Sequence, residues 1–236
     1  MVRFNEVDLE SIGKEIRIID VNVSAPSILP TIINPDLIDG ALFSRSNYGE
    51  RTVTVTFVIM TDDKARRSEL FRELYLWADI KSTHSLVVPQ EPDGYLDAVC
   101  TSLPDASSAS YWDQLELVFT AYDPYFHSFN ENQSVIGSDF TITRHDCLDW
   151  RIEFSVPNQI QYPAWRHNSG KEIAFSTMQA GDLVIDSKTQ TAYIDDLSAL
   201  PNLMLGSRFF TLPNGNNRII PINGAGGYIT WRERWL

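Results

Sequence analysis

Residues 51–60 read RTVTVTFVIM, and no other stretch restricts the fold as tightly. Val53, Val55, Phe57 and Ile59 fall on one face of an extended chain, and Thr52, Thr54 and Thr56 fall on the other. Successive side chains of a strand point to opposite sides of the pleat, so strict period two with one apolar face predicts a half-buried antiparallel strand. The rest of the first half offers further strands. Segment 15–23, EIRIIDVNV, is rich in β-branched residues and reads as a strand. The phase of its apolar residues slips between Ile18 and Ile19, which predicts a bulge or burial on both faces. Pro26, Pro30 and Pro35 follow; proline lacks the donor a central strand needs, so this stretch reads as loop or edge. Further strands are predicted at 95–100 and at 114–122, where Leu115, Leu117 and Phe119 alternate with Glu116 and Thr120. The small-residue run 104–110 between them reads as a hairpin tip.

One segment has a helical period. Residues 62–80 put Leu70, Leu74 and Trp77 on one stripe, with Phe71, Tyr75 and Ala78 beside it and Arg66, Arg67, Arg72 and Glu73 opposite. Thr61, Asp62 and Asp63 precede it and offer N-cap oxygens.

Punctuation changes at Asp123-Pro124-Tyr125, and residues 127–139 are polar with little period, so a domain boundary is placed there. Short strands are then predicted at 148–154, 172–176, 182–187, 191–195, 207–212, 217–222 and 227–232. Turn signals separate them, including Gly224–Gly227, which reads as a hairpin turn. With no helix among these strands a parallel α/β sheet is excluded. The expected fold is mainly β: two β-sandwich-like domains, 1–126 and 127–236, the first carrying a single amphipathic helix at 62–80. The last strand, 227–235, is left free to pair back with the first domain.

Charge narrows the function. The chain has 31 acidic and 19 Lys/Arg residues, a net charge of −12, whereas a nucleic-acid binder needs a basic footprint to displace counterions from phosphates. The acid is concentrated: residues 1–125 hold 20 acids and 10 bases, residues 126–236 hold 11 and 9. Cys100 and Cys147 are too sparse for a secreted disulfide scaffold and are expected to be reduced core thiols. The segment MVRFNEVDLE lacks a signal-peptide apolar core, and no run of about 18 apolar residues predicts a membrane span. Synthesis in a cytoplasm is the expectation.

Catalytic constellations fail on geometry. His84, His127, His145 and His167 have no metal-helix spacing, and no CxxC exists. His145-Asp146-Cys147 has the residue types of a nucleophile, base and orienter, but adjacent residues in extended chain face opposite ways. Asp195-Asp196 and Asp62-Asp63 are adjacent rather than facing across a bond, as glycosidic cleavage requires. No enzyme is expected, and no metal or cofactor. Trp150, Trp165, Tyr162 and Trp231 could offer a sugar-stacking platform, though core packing explains them more simply; Tyr162 and Trp165 are the candidates for a partner or glycan surface.

Several stretches, in order, resemble the distal tail protein family of long-tailed bacteriophages, the siphophage tail-component family. Asp39-Gly40-Ala41-Leu42-Phe43 and Tyr48-Gly49-Glu50-Arg51 running into the Val/Thr strand look like its N-terminal signature, and Tyr122-Asp123-Pro124-Tyr125-Phe126 closes the first half in the same manner. Gly181-Asp182-Leu183-Val184-Ile185-Asp186, then Phe210-Thr211-Leu212-Pro213-Asn214-Gly215-Asn216-Asn217, then Trp231-Arg232-Glu233-Arg234-Trp235-Leu236, are similar to its closing pattern. Asn214 between Pro213 and Gly215 departs from the family, which usually has proline directly before glycine.

The resemblance implies an N-terminal β domain that assembles head-to-tail into a homo-hexameric ring, and a smaller, galectin-like C-terminal sandwich. The ring would sit at the distal end of the tail tube in the virion, joining the tube protein to a tail-tip hub and to receptor-binding or baseplate proteins. Genome DNA would pass through the channel without specific binding, and no membrane insertion is implied. Exposed strand edges are natural adhesive for such a ring. The candidate interface residues are therefore Ile16, Ile18, Phe43, Arg45, Tyr48, Tyr111 and Trp112. The competing reading is a carbohydrate-binding module of a phage or bacterial surface system, acting without a ring.

Overall fold

A computed structural model describes residues 1–33, 42–105 and 113–236. The chain divides into two compact units, Met1–Phe126 together with Leu236, and His127–Trp235. It is mostly strand, with one α-helix among the described residues.

The first unit is built on the Val/Thr strand. Arg51–Ile59 pairs antiparallel with Ile16–Val23 on one side and Leu115–Ala121 on the other. Leu115–Ala121 pairs in turn with Glu91–Ser102, which continues to His84–Val88 and Arg3–Phe4. Val53, Val55, Phe57 and Ile59 are buried while Thr52, Thr54 and Thr56 are half-exposed, as the alternation requires. The predicted bulge is present between Ile18 and Asp20. It keeps Ile16 in the core and turns Ile19 out to solvent.

The helix runs Lys64–Trp77, shorter at both ends than the pattern suggested. Asp63 caps it, its carboxylate accepting from the N–H groups of Ala65 and Arg66, which satisfies donors that have no partner inside the helix. Leu70, Phe71 and Leu74 are buried. Beside them Trp77 and Phe4 meet edge-on at 5.6 Å and both pack on Phe119.

The second unit is a two-sheet sandwich. One sheet runs in the order Leu197–Ser198, Thr191–Ile194, Gly181–Asp186, Trp150–Val156, Tyr228–Trp235, Phe126–Val135. The other runs Asp139–Ile142, Gly215–Ile222, Ala164–His167, Glu172–Ala174. The core between them takes Trp150, Ile152, Leu183, Ile185, Ile229 and Trp231 from the first and Ile142, Trp165, Ile173 and Ile219 from the second. Trp150 stacks on Phe210 at 4.7 Å and donates its indole N–H to the Phe210 carbonyl.

Three local expectations are corrected. The polar stretch 127–139, where no strand was predicted, includes most of a ten-residue strand, Phe126–Val135. Residues 207–212 form no strand: Phe210 and Leu212 are buried, but in place of a ladder the backbone makes an isolated bridge, Cys147 to Leu212, and a bond from Arg208 N–H to the Glu172 carbonyl at 3.0 Å. The glycine run before Tyr228 is not a hairpin turn. Gly215–Ile222 pairs in one sheet and Tyr228–Trp235 in the other, so Asn223–Gly227 carries the chain across the sandwich.

His167 is the unit's buried polar centre. Asn217 is held by two bonds of 2.8 Å from its amide to the Pro213 and Gly215 carbonyls, which points its oxygen at His167 Nε2 at 2.9 Å. Ser169 N–H donates to Nδ1 at 3.1 Å, so the pocket selects a neutral imidazole protonated at Nε2. Burial pushes the His167 pKa below its ordinary 6.5, and the nearby Lys171 charge adds to this against the Asn217 bond. The unfolded chain therefore takes the proton first as pH falls. This contribution to stability is whole above about pH 6.5 and declines below it until the folded histidine itself protonates. Melting curves at pH 7.5 and 5.5 are expected to show a smaller drop for His167→Gln than for the native chain.

Candidate functional site

The feature that no core explains is a two-stranded ribbon in the first unit. Ile28–Ile33 pairs with Leu42–Tyr48 and with no other strand among the described residues. All six residues of its first strand are exposed, Ile28 at 67%, and on the second strand Phe43 is exposed at 69%. Ile28 and Leu29 are neighbours, as are Ile32 and Ile33, so each pair places one large apolar side chain on either face. A ribbon apolar on both faces cannot be buried by laying one of them on its own core. Two-stranded ribbons are marginal in water alone, and contiguous exposed apolar surface marks a site of association.

The ribbon is anchored as a continuation of the sheet. It lies between Ile16–Val23 and Arg51–Ile59 in the chain, and bonds at its base tie the two arms: Ser24 N–H to Thr52 O, Ser27 N–H to Glu50 O, and Gly49 N–H to Ser27 O, each 2.8–2.9 Å. Ser24 Oγ accepts from Thr52 N–H at 2.9 Å, and Tyr48 meets Tyr125 edge-on at 6.3 Å. A side chain at Gly49 would run into Ser27 Oγ and Leu29, so glycine lets the arms close without moving either side chain. Pro30 is accommodated because this strand needs no second partner. Beneath the base Arg51 is buried with its guanidinium 5.1 Å over the Phe126 ring; burial lowers its pKa, opposed by the Glu91 charge.

Among the candidate interface residues, Phe43, Arg45 and Tyr48 stand exposed on this ribbon. Ile16 does not reach a surface: it is fully buried opposite Ile59, because the bulge that frees Ile19 holds Ile16 inward. Ile18 is half-buried. The strand carrying both pairs on one side only among the described residues, and part of its outer edge is covered by Gln90, which donates to Val21 O at 2.6 Å. Tyr111 and Trp112 lie outside the described residues, as does most of the loop 104–110. Ile28, Leu29, Ile32 and Ile33 were not among the candidates, because Pro26, Pro30 and Pro35 made the stretch read as loop or edge. Their signal was the absence of period two: consecutive apolar residues with no polar face.

In the second unit Tyr162 is exposed, and its backbone lies in the left-handed region at φ 55°. Trp165 is no surface residue: it is 0% exposed, packs against Phe154 and Phe175, and donates to Gly226 O at 3.0 Å. The residues with catalytic types are structural. Asp146 accepts from Asn214 N–H at 2.9 Å. Burial pushes the Cys147 thiol to about 12, and Cys100 to about 11; both cysteines are buried and free. Asp195 accepts from Asp182 N–H at 2.8 Å within a tight turn.

Comparison with known proteins agrees with the resemblance read from the sequence. A family model described as the siphovirus-type tail component, C-terminal domain, matches residues 147–235, and that family is a structural tail component, not an enzyme. No curated protein matches by sequence. Among solved structures, the Dit protein (gp 19.1) of phage SPP1, described as a hub adsorption apparatus of phages infecting Gram-positive bacteria, superposes with a TM-score of 0.79 at 14% identity. The match covers 100% of this chain and 98% of that one. The baseplate of phage P2 with Ca gives a TM-score of 0.49 at 9% identity over 93% of this chain and 90% of its own. At that identity the SPP1 match establishes a shared fold over the whole length.

Proposed function

We propose that this chain is a structural hub protein of a long-tailed phage, assembling six copies head-to-tail into a ring at the distal end of the tail tube. The observation that carries the ring is the two-faced apolar ribbon. A heterologous contact whose rotation closes needs one adhesive element that reaches a different surface on the next copy, and permanent contacts of this type bury on the order of 2,000 Å² or more, rich in apolar side chains. The ribbon, continuous with the edge strand Ile16–Val23, is such an element. The family model over residues 147–235 supports the tail assignment, and the SPP1 superposition supports the fold of both units.

In this reading the unit Met1–Phe126 forms the ring and contacts the tube protein, and the unit His127–Trp235 receives tail-tip, baseplate or receptor-binding proteins. The protein is a virion component made in the host cytoplasm. The acid of residues 1–125 faces the channel and keeps DNA phosphates from adhering. The outward face of the central sheet suits this: Thr52, Thr54, Thr56 and Thr120 are half-exposed there and Glu116 is exposed. A ring whose lumen proved neutral or basic would overturn that part.

Light scattering behind a sizing column, over a concentration series, tests the assembly directly. A species six times the 26.8 kDa chain mass is expected at the higher concentrations. A mass that stays at one chain throughout would remove self-assembly and favour a module that acts without a ring.

A further inference from the structure

The solvent face of the larger sheet in the second unit is built differently from the ribbon. Its register sets Tyr193 opposite Val184, Val184 opposite Glu153, and Glu153 opposite Tyr228. One row therefore crosses four strands with a tyrosine at each end, separated by three inter-strand spacings, about 14 Å. Tyr193 is 41% exposed and Tyr228 50%.

Two adjoining grooves, about 630 and 460 Å³, share Asp182 and Val184. Glu153, Ser155 and Tyr228 line the first; Arg151, Tyr193, Asp195 and Asp196 line the second. Hydrogen bonds hold Ser155, Asp182 and Asp195, and looser ion pairs set Arg151 among the acids. Arg151 lies 3.6 Å from both Glu153 and Asp186, Ser155 Oγ donates to Asp182 at 2.5 Å, and Asp182 N–H donates to Asp195 at 2.8 Å.

We infer that this row is a binding face for an uncharged oligosaccharide. A pyranose offers an apolar C–H face and a rim of hydroxyls, and it is matched by exposed aromatic rings beside fixed carboxylates and a guanidinium. The alternatives fit less well. A protein partner needs an apolar, desolvated centre, but the centre of this row is Glu153 and a single half-buried valine. A polyanion would meet Glu153, Asp182, Asp186, Asp195 and Asp196 against Arg151, and like charge repels it. A metal is not favoured, since no group of three ligating side chains with suitable geometry occurs among the described residues. The sugar face thus moves from Trp165, which is core, to the Tyr193–Tyr228 row. The inference is independent of ring formation.

The test is saturation-transfer NMR on the full chain with neutral trisaccharides of glucose, galactose, rhamnose and N-acetylhexosamine as probes. At least one probe is expected to bind, with Tyr193→Ala and Tyr228→Ala each weakening it about three- to tenfold. Each side chain is about half exposed, so the melting temperature should fall by only a few degrees, and a variant that keeps its folding transition but loses binding has not lost it by unfolding. No transfer to any probe, or transfer that survives the double substitution unchanged, overturns the assignment.

Discussion

In the proposed ring, replacing Ile32 and Phe43 together by aspartate is expected to leave a folded single chain in place of the six-fold species. The two residues sit opposite each other across the ribbon, so both charges enter the same face. Each substitution forfeits about 2 kcal/mol of apolar burial at the contact, and desolvating a carboxylate there costs more. A loss of about 4 kcal/mol per contact already weakens association roughly a thousandfold. Ile32 and Phe43 are exposed within the chain itself, so the thermal midpoint should move little. Scattering mass and a melting curve on the same sample read both quantities. A double variant that still assembles would exclude this face of the ribbon from the interface.

The second large effect is expected at Gly227, and it concerns folding. Its φ is +102°, and a side chain there would overlap the Glu153 carbonyl and press on Phe154. Gly227 enters the strand that pairs with Trp150–Val156, and its carbonyl accepts from Ile136 N–H at 3.0 Å. Gly227→Ala adds backbone strain of about 1–3 kcal/mol, and relieving the overlap means parting the strands. About 3–5 kcal/mol in all, for a unit of this size, lowers its melting transition by roughly 15 °C or more. A calorimetric scan checks this; a shift under about 5 °C would mean that the crossover yields cheaply.

What could be read in advance follows from which signals are local. Arg51–Ile59 was legible because one face is buried and one is not, so the burial pattern repeats in the sequence. The Ile18/Ile19 phase slip and the Asp63 cap were legible for the same reason: a bulge and a cap are made by residues close together in the chain. Phe126–Val135 was not, because only Phe126 and His127 of its ten residues are buried and half are exposed, and its place in the sheet comes from backbone bonding, which carries no side-chain signature. At residues 207–212 the error was the opposite one. Alternating apolar residues report burial, and Phe210 is buried by stacking on Trp150 without a strand partner. Trp165 misled because its neighbours Arg166 and Asn168 are polar, while only the distant Phe175 and Gly226 reveal where its ring goes. Of the candidate assembly surface, Phe43, Arg45 and Tyr48 could be named from sequence. The arm that faces them could not, since its prolines masked its pairing.

An arm that is sticky on both sides also sets a clock. In the proposed assembly, every encounter between two free chains is a trial of that arm against whatever surface it meets, and only one of those surfaces would lead to closure. The net charge of −12 lengthens the wait between encounters, most strongly in dilute salt where repulsion reaches furthest. On the proposed assembly the free chain would then have a limited lifetime, and the pace at which it is produced and consumed would decide whether it ends in an ordered particle or in an irregular clump.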